Sequence, residues 1–276
     1  MVGSARFEVL RGCDFRASRL NLSIPIGIAR YSMRFTQFPA KDEPMQTTSA
    51  TVDASLSAPR LTDVELDAIS ERFETWSATD IVGWTIETFG SRLCVAASMA
   101  DTVLIDIATK VDPDIEIVFL DTGFHFPETL LTVRKAQQRY QLNLRVERAK
   151  PTVGDLFTLG TEGCCAARKV AVLDRVMAEK DAWLTGLRRA ETESRANSAI
   201  VSRDKRGVVK VCPIANWSDD EVNAYILEND VIVNPLQHQG YPSIGCWPCT
   251  SKVAQGEDPR SGRWAGSGKT ECGLHL

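Results

Sequence analysis

The sequence lacks a long apolar run, an excess of positive charge and a secretory signal. Its longest uncharged stretch, Val231–Ser251, is interrupted by prolines and glycines, whereas a membrane-spanning helix needs about 20 consecutive apolar residues. The 32 basic residues are outnumbered by 36 acidic ones, although a dedicated nucleic-acid-binding protein usually carries a basic excess. We therefore expect neither a membrane protein nor a nucleic-acid-binding protein.

The nearest candidate for a signal peptide, Leu20–Ala29, is interrupted by polar residues and a proline, while such signals need a continuous apolar stretch. A cytoplasmic location is therefore predicted. Thiols stay reduced there, and clustered cysteines indicate metal or redox chemistry more often than disulfides. The sequence has eight cysteines but only three histidines, so the cysteines are its unusual feature.

The first 60 residues differ in composition from the rest of the chain. Residues 1–41 hold seven basic and two acidic residues, and residues 42–60 are rich in Ser, Thr, Ala and Pro without a sustained period. This composition predicts a largely disordered extension over residues 1–60. It is compatible with an Arg-rich transit peptide or with an unstructured extension that a start codon upstream of Met45 would add.

From Thr62 onward, patterns typical of helices and strands alternate. Thr62 and Glu65 have the form of a helix capping box. Further helices are predicted for Ala78–Phe89, from Asp101, and for Pro127–Tyr140, Cys164–Glu179 and Asp219–Asn229, and strands for Arg92–Ser98, Ile115–Leu120, Leu142–Glu147, Ala182–Leu187 and Val208–Cys212. Residues 61–250 are therefore predicted to form an α/β domain with a mostly parallel sheet covered by helices on both faces. Ligands of such sheets bind beyond the carboxyl ends of the strands.

Residues 251–276 contain five glycines and no apolar period, which predicts a flexible C-terminal tail. This tail carries Cys272, with cations upstream and His275 three residues later. Neighbouring cations favour a thiolate, so Cys272 is a candidate nucleophile. The alternative is a frayed terminus with an incidental cysteine.

Four further cysteines form two close pairs, Cys164 with Cys165 and Cys246 with Cys249. A Cys-x-x-Cys pair occurs in redox, zinc and iron–sulfur sites. Adjacent cysteines on a helix diverge by about 100°, which suits a larger cluster better than a single zinc ion. Four cysteines suffice for a 4Fe–4S cluster. Buried apolar cysteines and a structural zinc site are the alternatives.

Polar residues that suit an anionic ligand follow three predicted strands. They lie in Ser98–Asp101, Leu120–Gly123 and Trp183–Arg189. The segment at Leu120–Gly123 is also typical of an ordinary strand-to-loop exit, and the one at Ser98–Asp101 is a weak signal alone because no Gly-rich Walker motif is present. Arg168 and Lys169 lie one helical turn from the first cysteine pair, where they would offset cluster charge, hold an anionic substrate or form a solvated basic face.

Together these motifs resemble those of the assimilatory adenylylsulfate (APS) reductases, thioredoxin-dependent enzymes of sulfate assimilation. The resemblance covers about residues 80–276. Its motifs are Ser98–Asp101, Leu120–Gly123, Cys164–Lys169 with Cys246–Cys249, Trp183–Arg189 and Glu271–His275. It implies a parallel α/β sheet of the adenine-nucleotide α-hydrolase type. The sequence departs from the family at Met99-Ala100, where other members often have Phe-Gly or Phe-Ser-Gly.

The resemblance also implies roles for individual residues. Cys164, Cys165, Cys246 and Cys249 would ligate one 4Fe–4S cluster per chain, and Cys272 would be the nucleophile. Leu120 and Thr122 would hold the adenosine, with Ser98 and Gly186 near the nucleotide. The phosphosulfate and the closed tail would involve Lys169, Arg195, Arg260, Arg263 and His275.

The implied reaction is reduction of APS to sulfite and AMP through an enzyme S-sulfocysteine. Relatives that reduce the 3′-phosphorylated substrate (PAPS) generally lack the paired cysteines, so APS is the expected substrate. Plant relatives carry a fused thioredoxin-like domain. Because the sequence ends four residues after Cys272, we expect thioredoxin to be a separate protein.

Three alternative functions remain at this point. One is PAPS reduction. Another is an ATP-pyrophosphatase-type nucleotide enzyme such as a tRNA thiolation enzyme, although the usual Ser-Gly-Gly-x-Asp-Ser loop is missing. The third is a non-catalytic protein with a structural zinc site. The sequence leaves the oligomeric state open, a homo-oligomer included. Cys13, Cys94 and Cys212 match no motif.

Overall fold

A six-stranded sheet organises the part of the chain that the computed structural model describes, namely residues 60–265, 267, 269 and 271–274. Its strands are β1 (Leu93–Ala97), β2 (Glu116–Asp121), β3 (Asn143–Arg148), β4 (Ala182–Thr185), β5 (Val201–Arg203) and β6 (Val209–Val211). The strand order is β3-β2-β1-β4-β6-β5, and only β5 is antiparallel to its neighbour. The predicted extension over residues 1–60 lies outside the described residues except for Arg60.

Helices cover both faces of the sheet. They are α1 (Asp63–Phe73), α2 (Ala78–Phe89), α3 (Val103–Val111), α4 (Pro127–Tyr140), α5 (Leu156–Cys165), α6 (Ala171–Met177) and α7 (Asp219–Asn229). Val95 of β1 packs in a cluster with residues of α1, α2, α3 and α7, and the adjacent Cys94 packs in a second cluster with residues of α6. Successive side chains of a strand point to opposite faces, so the predicted mostly parallel α/β sheet is confirmed.

Helices α2, α4 and α7 have the predicted bounds because their first turns carry clear start signals. Ser77 caps α2, Pro127 is the first residue of α4, and Ser218 forms a capping box with Glu221 at α7. Each side-chain cap satisfies a backbone N–H that has no partner within the helix.

The helix predicted over Cys164–Glu179 is confirmed over residues 164–177, but its start is earlier and it is not one regular α-helix. Helix α5 begins earlier, at Leu156 after the cap Asp155, and Gly160 interrupts it with a φ of 66°. A π-helical turn, Ala166–Val170, then joins α5 to α6. Such turns contain an extra residue and often occur at functional sites. Here the turn carries two of the cations that the sequence had singled out, Arg168 and Lys169.

The order in which the chain adds strands to the sheet reverses between β1 and β4. From β1 the chain adds β2 and β3 on one side, and it then returns to place β4 on the other side of β1. Ligands of doubly wound sheets bind beyond the carboxyl ends of the strands at such a point. Among the described residues, no helix is long and apolar enough to cross a membrane.

Candidate active site

A cleft opens at the carboxyl ends of β1, β2 and β4, and we call it the main cleft. Its volume of about 570 Å³ lies within the usual range for small-molecule sites. It brings together eight of the residues predicted from the sequence, Ser98, Leu120, Lys169, Gly186, Arg195, Arg260, Arg263 and Cys272. His275 lies outside the described residues.

The turn after β1 is held in an unusual backbone conformation. Met99 has a φ of 62° and a fully buried side chain, although the left-handed region is unfavourable for residues other than glycine. The Asn234 side chain donates to the Met99 carbonyl at 3.1 Å, and the Gln237 side chain donates to the Ala100 carbonyl at 2.9 Å. These bonds hold the turn in which the sequence departs from the family pattern.

His125 is a cleft residue that sequence reasoning missed. Its Nε2 lies 2.9 Å from the Leu120 carbonyl oxygen, and its ring packs against Phe119 with centroids 4.8 Å apart. Burial lowers the pKa of this imidazole, which favours the neutral ring. A signal was present, because His125 is one of only three histidines and follows the Leu120–Gly123 motif closely.

A second, smaller cavity gathers the two cysteine pairs, and we call it the thiol cavity. Cys164 and Cys165 come from the end of α5, Cys246 precedes the short turn Trp247–Cys249, and Cys249 ends that turn. All four line the cavity together with Thr122, Phe124, Leu156, Thr161, Arg168, Lys169, Pro248, Arg263 and Trp264. Thr122 therefore lies here and does not line the main cleft, and its hydroxyl is 3.3 Å from the sulfur of Cys246.

The thiols of this cavity share one lining, in which Cys164 is buried and Cys165, Cys246 and Cys249 are half-buried. Burial raises the pKa of Cys164, Cys165 and Cys249, and the charge of neighbouring cysteines raises each further. Metal ions bind the thiolate and remove this mutual repulsion, so four converging thiols fit an iron–sulfur cluster by their donor chemistry. Within the described residues, no group of three Cys, His, Asp or Glu side chains is arranged to hold a single metal ion.

Arg168 and Lys169 serve different parts of the site. The Arg168 guanidinium donates to the carbonyl oxygens of Thr122, Val153 and Gly154 at 3.0–3.1 Å. It therefore connects loops around the thiol cavity. Lys169 lines both the thiol cavity and the main cleft, so it is the better placed of the two cations for an anion in the cleft.

Arg263 and Trp264 also line both cavities. The Arg263 guanidinium lies 4.4 Å from the Trp264 ring centroid, and its Nη1 donates to the Ser243 hydroxyl at 3.2 Å. Its Nε is buried without a hydrogen-bond partner in the described part of the chain, and burial lowers the pKa of the side chain. A Cβ atom at Gly245 would lie 2.4 Å from Arg263 Nη2, so the guanidinium depends on glycine there.

The described residues of the C-terminal tail are in contact with the domain. The Glu271 carboxylate forms ion pairs with Arg195 and Arg260. The backbone N–H of Trp264 donates to the carbonyl of Cys249, and Leu274 packs against the smaller hydrophobic cluster. These contacts bring Cys272 to the main cleft. The flexibility predicted for residues 251–276 stays a prediction.

Comparison with known proteins gives the same family as the sequence motifs. A model of the phosphoadenosine phosphosulfate reductase domain matches residues 92–252. An adenosine 5′-phosphosulfate reductase of Rhodococcus erythropolis is 46% identical in a comparison that covers 82% of this chain and 99% of the relative. The enzyme of that name from Mycobacterium tuberculosis is 43% identical in a comparison that covers 78% of this chain and 97% of the relative.

Solved structures confirm the fold. A phosphoadenylyl-sulfate (PAPS) reductase from Candida auris in complex with phosphate has a TM-score of 0.62 and 27% identity, covering 71% of this chain and all of that one. An FMN adenylyltransferase from Candida glabrata has a TM-score of 0.50 and 13% identity over 74% of both chains, which shows a common fold only. The family model spans more than half of this chain, and the chain therefore belongs to the family of the phosphoadenosine phosphosulfate and adenosine 5′-phosphosulfate reductases.

Proposed function

We propose that this protein reduces adenosine 5′-phosphosulfate to sulfite and AMP. The observation that carries the proposal is that Cys272 lines the main cleft together with the strand-end residues and the cations Lys169, Arg260 and Arg263. A free thiol thus lies beside a cavity of nucleotide size whose walls carry positive charge. The relatives named as reductases of this substrate support the same reaction.

The two ends of the main cleft suit the two ends of the substrate. The adenosine would lie over Ser98, Leu120 and Gly186, at the ends of β1, β2 and β4. The phosphosulfate would lie toward Lys169, Arg260 and Arg263, where guanidinium and ammonium groups bind anionic oxygens. Thr122, which borders the thiol cavity, would act on the nucleotide only through its neighbours Leu120 and Asp121.

In the first step, the Cys272 thiolate attacks the sulfur atom of the substrate. A sulfur–sulfur bond forms, the sulfur–oxygen bond to the phosphate breaks, and AMP leaves with the electron pair of that bond. The cations stabilise the negative charge as it moves onto the phosphate. The product on the enzyme is S-sulfocysteine.

In the second step, a thiolate of reduced thioredoxin attacks the sulfur of Cys272. Sulfite leaves with the electron pair of the sulfur–sulfur bond, and a mixed disulfide forms. The second thioredoxin thiol breaks that disulfide and returns Cys272 as a thiolate, so two thiols are oxidised as sulfate sulfur is reduced by two electrons. Since this exchange needs reduced thiols, we expect it in the cytoplasm. The tail would have to carry Cys272 from the cleft to its protein reductant.

Cys164, Cys165, Cys246 and Cys249 would hold the 4Fe–4S cluster. When bound, the cluster would tie α5 to the Trp247–Cys249 turn through its four thiolate ligands. Lys169 and Arg263 line both cavities and would balance the charge of the thiolates while they orient the substrate. The electrons of the reaction come from thioredoxin.

The Cys272→Ser variant tests the proposal. We expect it to bind AMP like the wild type, to form no S-sulfocysteine and to produce no sulfite, because an alcohol is a much weaker nucleophile than a thiolate. Mass spectrometry of the protein after incubation with APS measures the adduct. Cys212→Ala, which changes a fully buried cysteine outside both cavities, is the matched control and should stay active.

Sulfite production by Cys272→Ser would show that the nucleophile is another group. Assays with APS and PAPS in parallel test the substrate. Wild-type turnover of PAPS in preference to APS would contradict the proposed substrate and favour the activity for which the Candida auris relative is named.

A further inference from the structure

One carboxylate beside the proposed nucleophile binds the tail to the body of the domain. Glu271 precedes Cys272, and its Oε1 and Oε2 accept hydrogen bonds from Nε and Nη2 of Arg195 at 2.9 and 2.8 Å. Oε2 also accepts from Nη2 of Arg260 at 3.3 Å. The side chains of Arg195 and Glu271 are only 11% and 13% exposed, so solvent screens this pair little.

Arg195 is surrounded by carboxylates of the protein itself. Two of its nitrogens donate to Glu271, and the third, Nη1, donates to Glu191. Two parallel hydrogen bonds between a guanidinium and a carboxylate fix direction as well as distance. This arrangement differs from that of Arg263, whose Nε is buried and has no hydrogen-bond partner in the described part of the chain.

We propose that Arg195 and Glu271 form a latch that positions Cys272 in the main cleft. On this proposal, Arg195 acts as a positioning residue for the nucleophile, and the substrate is bound by the other cations. The inference rests on the proposed function, because the latch matters for catalysis only if Cys272 is the nucleophile. Fixing the side chain next to Cys272 restricts the thiol to the vicinity of the substrate, which lowers the entropic barrier to attack.

Arg260 links the latch to the anion site. Its guanidinium lies 3.3 Å from the Glu271 carboxylate, and the same residue lines the main cleft beside Arg263. A tail that closes through Glu271 therefore brings negative charge to one of the cations proposed for the phosphosulfate. Opening the latch removes Cys272 and that negative charge from the cleft together.

A second tail ion pair provides a matched control. Lys269 donates to Glu162 at 2.7 Å, and the Glu162 side chain is 79% exposed and lies outside the main cleft. The substitutions Glu271→Gln and Glu162→Gln therefore remove the same charge from two ion pairs of the same tail. Only the first affects the proposed latch.

The first measurement is the rate at which iodoacetamide alkylates Cys272 in the anaerobic holoprotein. Trypsin cleaves after Lys269, so mass spectrometry can follow the C-terminal peptide that contains Cys272. We expect Glu271→Gln to be alkylated about tenfold faster than the wild type, because a partly buried charge pair that held the tail is lost. Glu162→Gln should stay within about twofold, because the Glu162 carboxylate is largely exposed and its charge is screened by solvent. Equal rates for Glu271→Gln and wild type would overturn the latch.

The second measurement is single-turnover formation of S-sulfocysteine with APS. Glu271→Gln should slow adduct formation about tenfold and leave the dissociation constant for AMP unchanged, and Glu271→Asp should recover part of the rate. Arg195→Lys should behave like Glu271→Gln, because an ammonium cannot make the two parallel bonds. If Arg195→Lys weakens AMP binding and leaves the alkylation of Cys272 unchanged, Arg195 is a substrate ligand and the latch is wrong.

The two proposals fail in different ways. A wild-type protein that forms no adduct contradicts the proposed function, and the alkylation rates still decide whether the latch exists. A wild-type protein that forms the adduct, with Glu271→Gln reacting at the same rate, contradicts the latch alone.

Discussion

Six of the cysteines in the described part of the chain occupy two kinds of environment, and the seventh, Cys272, lines the main cleft. Cys94 and Cys212 lie among apolar residues, where burial raises the pKa of Cys94 to about 12 and that of Cys212 to about 11. These two thiols stay protonated and behave as small apolar side chains. The other environment is the thiol cavity, where four sulfur atoms lie near the cations Lys169 and Arg263.

This difference leads to a prediction about metal content. Anaerobically purified protein should be brown and contain iron with acid-labile sulfide, and Cys249→Ser should lose both because a cluster ligand is missing. Cys212→Ala should keep the wild-type iron content. Elemental analysis and the visible spectrum measure the outcome. Zinc without iron in the wild-type protein would favour a structural zinc site.

Met99 leads to a second prediction for a single residue. Alanine is usually more stabilising than glycine, but the left-handed conformation at position 99 should reverse the order of the two variants in stability. Met99→Gly and Met99→Ala both leave a cavity in place of a fully buried side chain. Only glycine relieves the strain of the positive φ. We expect Met99→Gly to be about 1 kcal/mol more stable than Met99→Ala.

Met177 is the control, since it is buried to the same degree in α6. In a right-handed helix, glycine costs roughly 0.5–1 kcal/mol relative to alanine, so Met177→Gly should be the less stable variant of that pair. Urea unfolding measures the free energy of unfolding of the glycine and alanine variants at both positions. If the glycine variant is the less stable one at position 99 as well as at position 177, Met99 is not strained.

At the scale of elements, α1 protects one edge of the sheet. The buried hydroxyl of Ser70 accepts hydrogen bonds from the backbone N–H groups of Ile200 and Val201, at 3.0 and 3.2 Å. Strand β5 is an edge strand that begins at Val201, and unpaired N–H groups at an edge promote association with other strands. Helix α1 thus completes the hydrogen bonding at the start of β5.

Ser70→Ala should lower the free energy of unfolding by about 2 kcal/mol, because two buried N–H groups lose their acceptor. Hydrogen exchange at Ile200 and Val201 should become faster. Thr88→Ala is the control, since the Thr88 hydroxyl bonds only to the Trp84 carbonyl of its own helix. Unchanged exchange at both amides in Ser70→Ala would show that α1 does not hold this edge.

The sequence predicted elements well where a local signal marks their ends. The caps Ser77 and Ser218, and Pro127 at the start of α4, place three helices correctly. Strand β5 was missed because its apolar residues Ile200 and Val201 are followed by polar ones, whereas the equally short β6 lies in the more apolar segment Val208–Cys212. The start of α5 was missed because the glycine at position 160 interrupts the helical period there.

Within the site, the residue types at strand ends predicted the lining of the main cleft, and the spacing of cysteines predicted the thiol cavity. Both signals lie in short segments of sequence and follow from local geometry. The contact between Glu271 and Arg195 was not predictable in this way. These residues are 76 positions apart, and no periodicity connects a glycine-rich tail to its contact. Sequence reasoning named Arg195 for its charge, whereas the structure shows which carboxylates surround it.

For the whole molecule, the described residues that line the main cleft and the thiol cavity lie between Val95 and Leu274. The family model begins at Arg92, but α1 and α2 precede it and contribute Leu66, Phe73 and Ile81 to the larger hydrophobic cluster. We therefore expect a chain that begins at Arg60 to fold and to keep its reductase activity. A chain that begins at Arg92 should be insoluble or unfolded because it exposes that cluster.

Circular dichroism and kcat/KM for APS measure both truncations against the full-length chain. Full activity of the chain that begins at Arg60 would agree with the prediction that residues 1–60 form an extension without a part in catalysis. A large loss of kcat/KM would assign a role to that segment.

The thiol cavity and the main cleft are built from different layers of the molecule. The strand ends that line the cleft belong to the sheet, a fold also seen in an FMN adenylyltransferase. The four cysteines come from α5 and from a turn after α7, and none lies on a strand. The two cavities share Lys169, Arg263 and Trp264, but the cysteines themselves could be lost without altering a strand. A lineage that loses all four cysteines would keep the strand ends of the proposed nucleotide site and would need new contacts where α5 meets the Trp247–Cys249 turn.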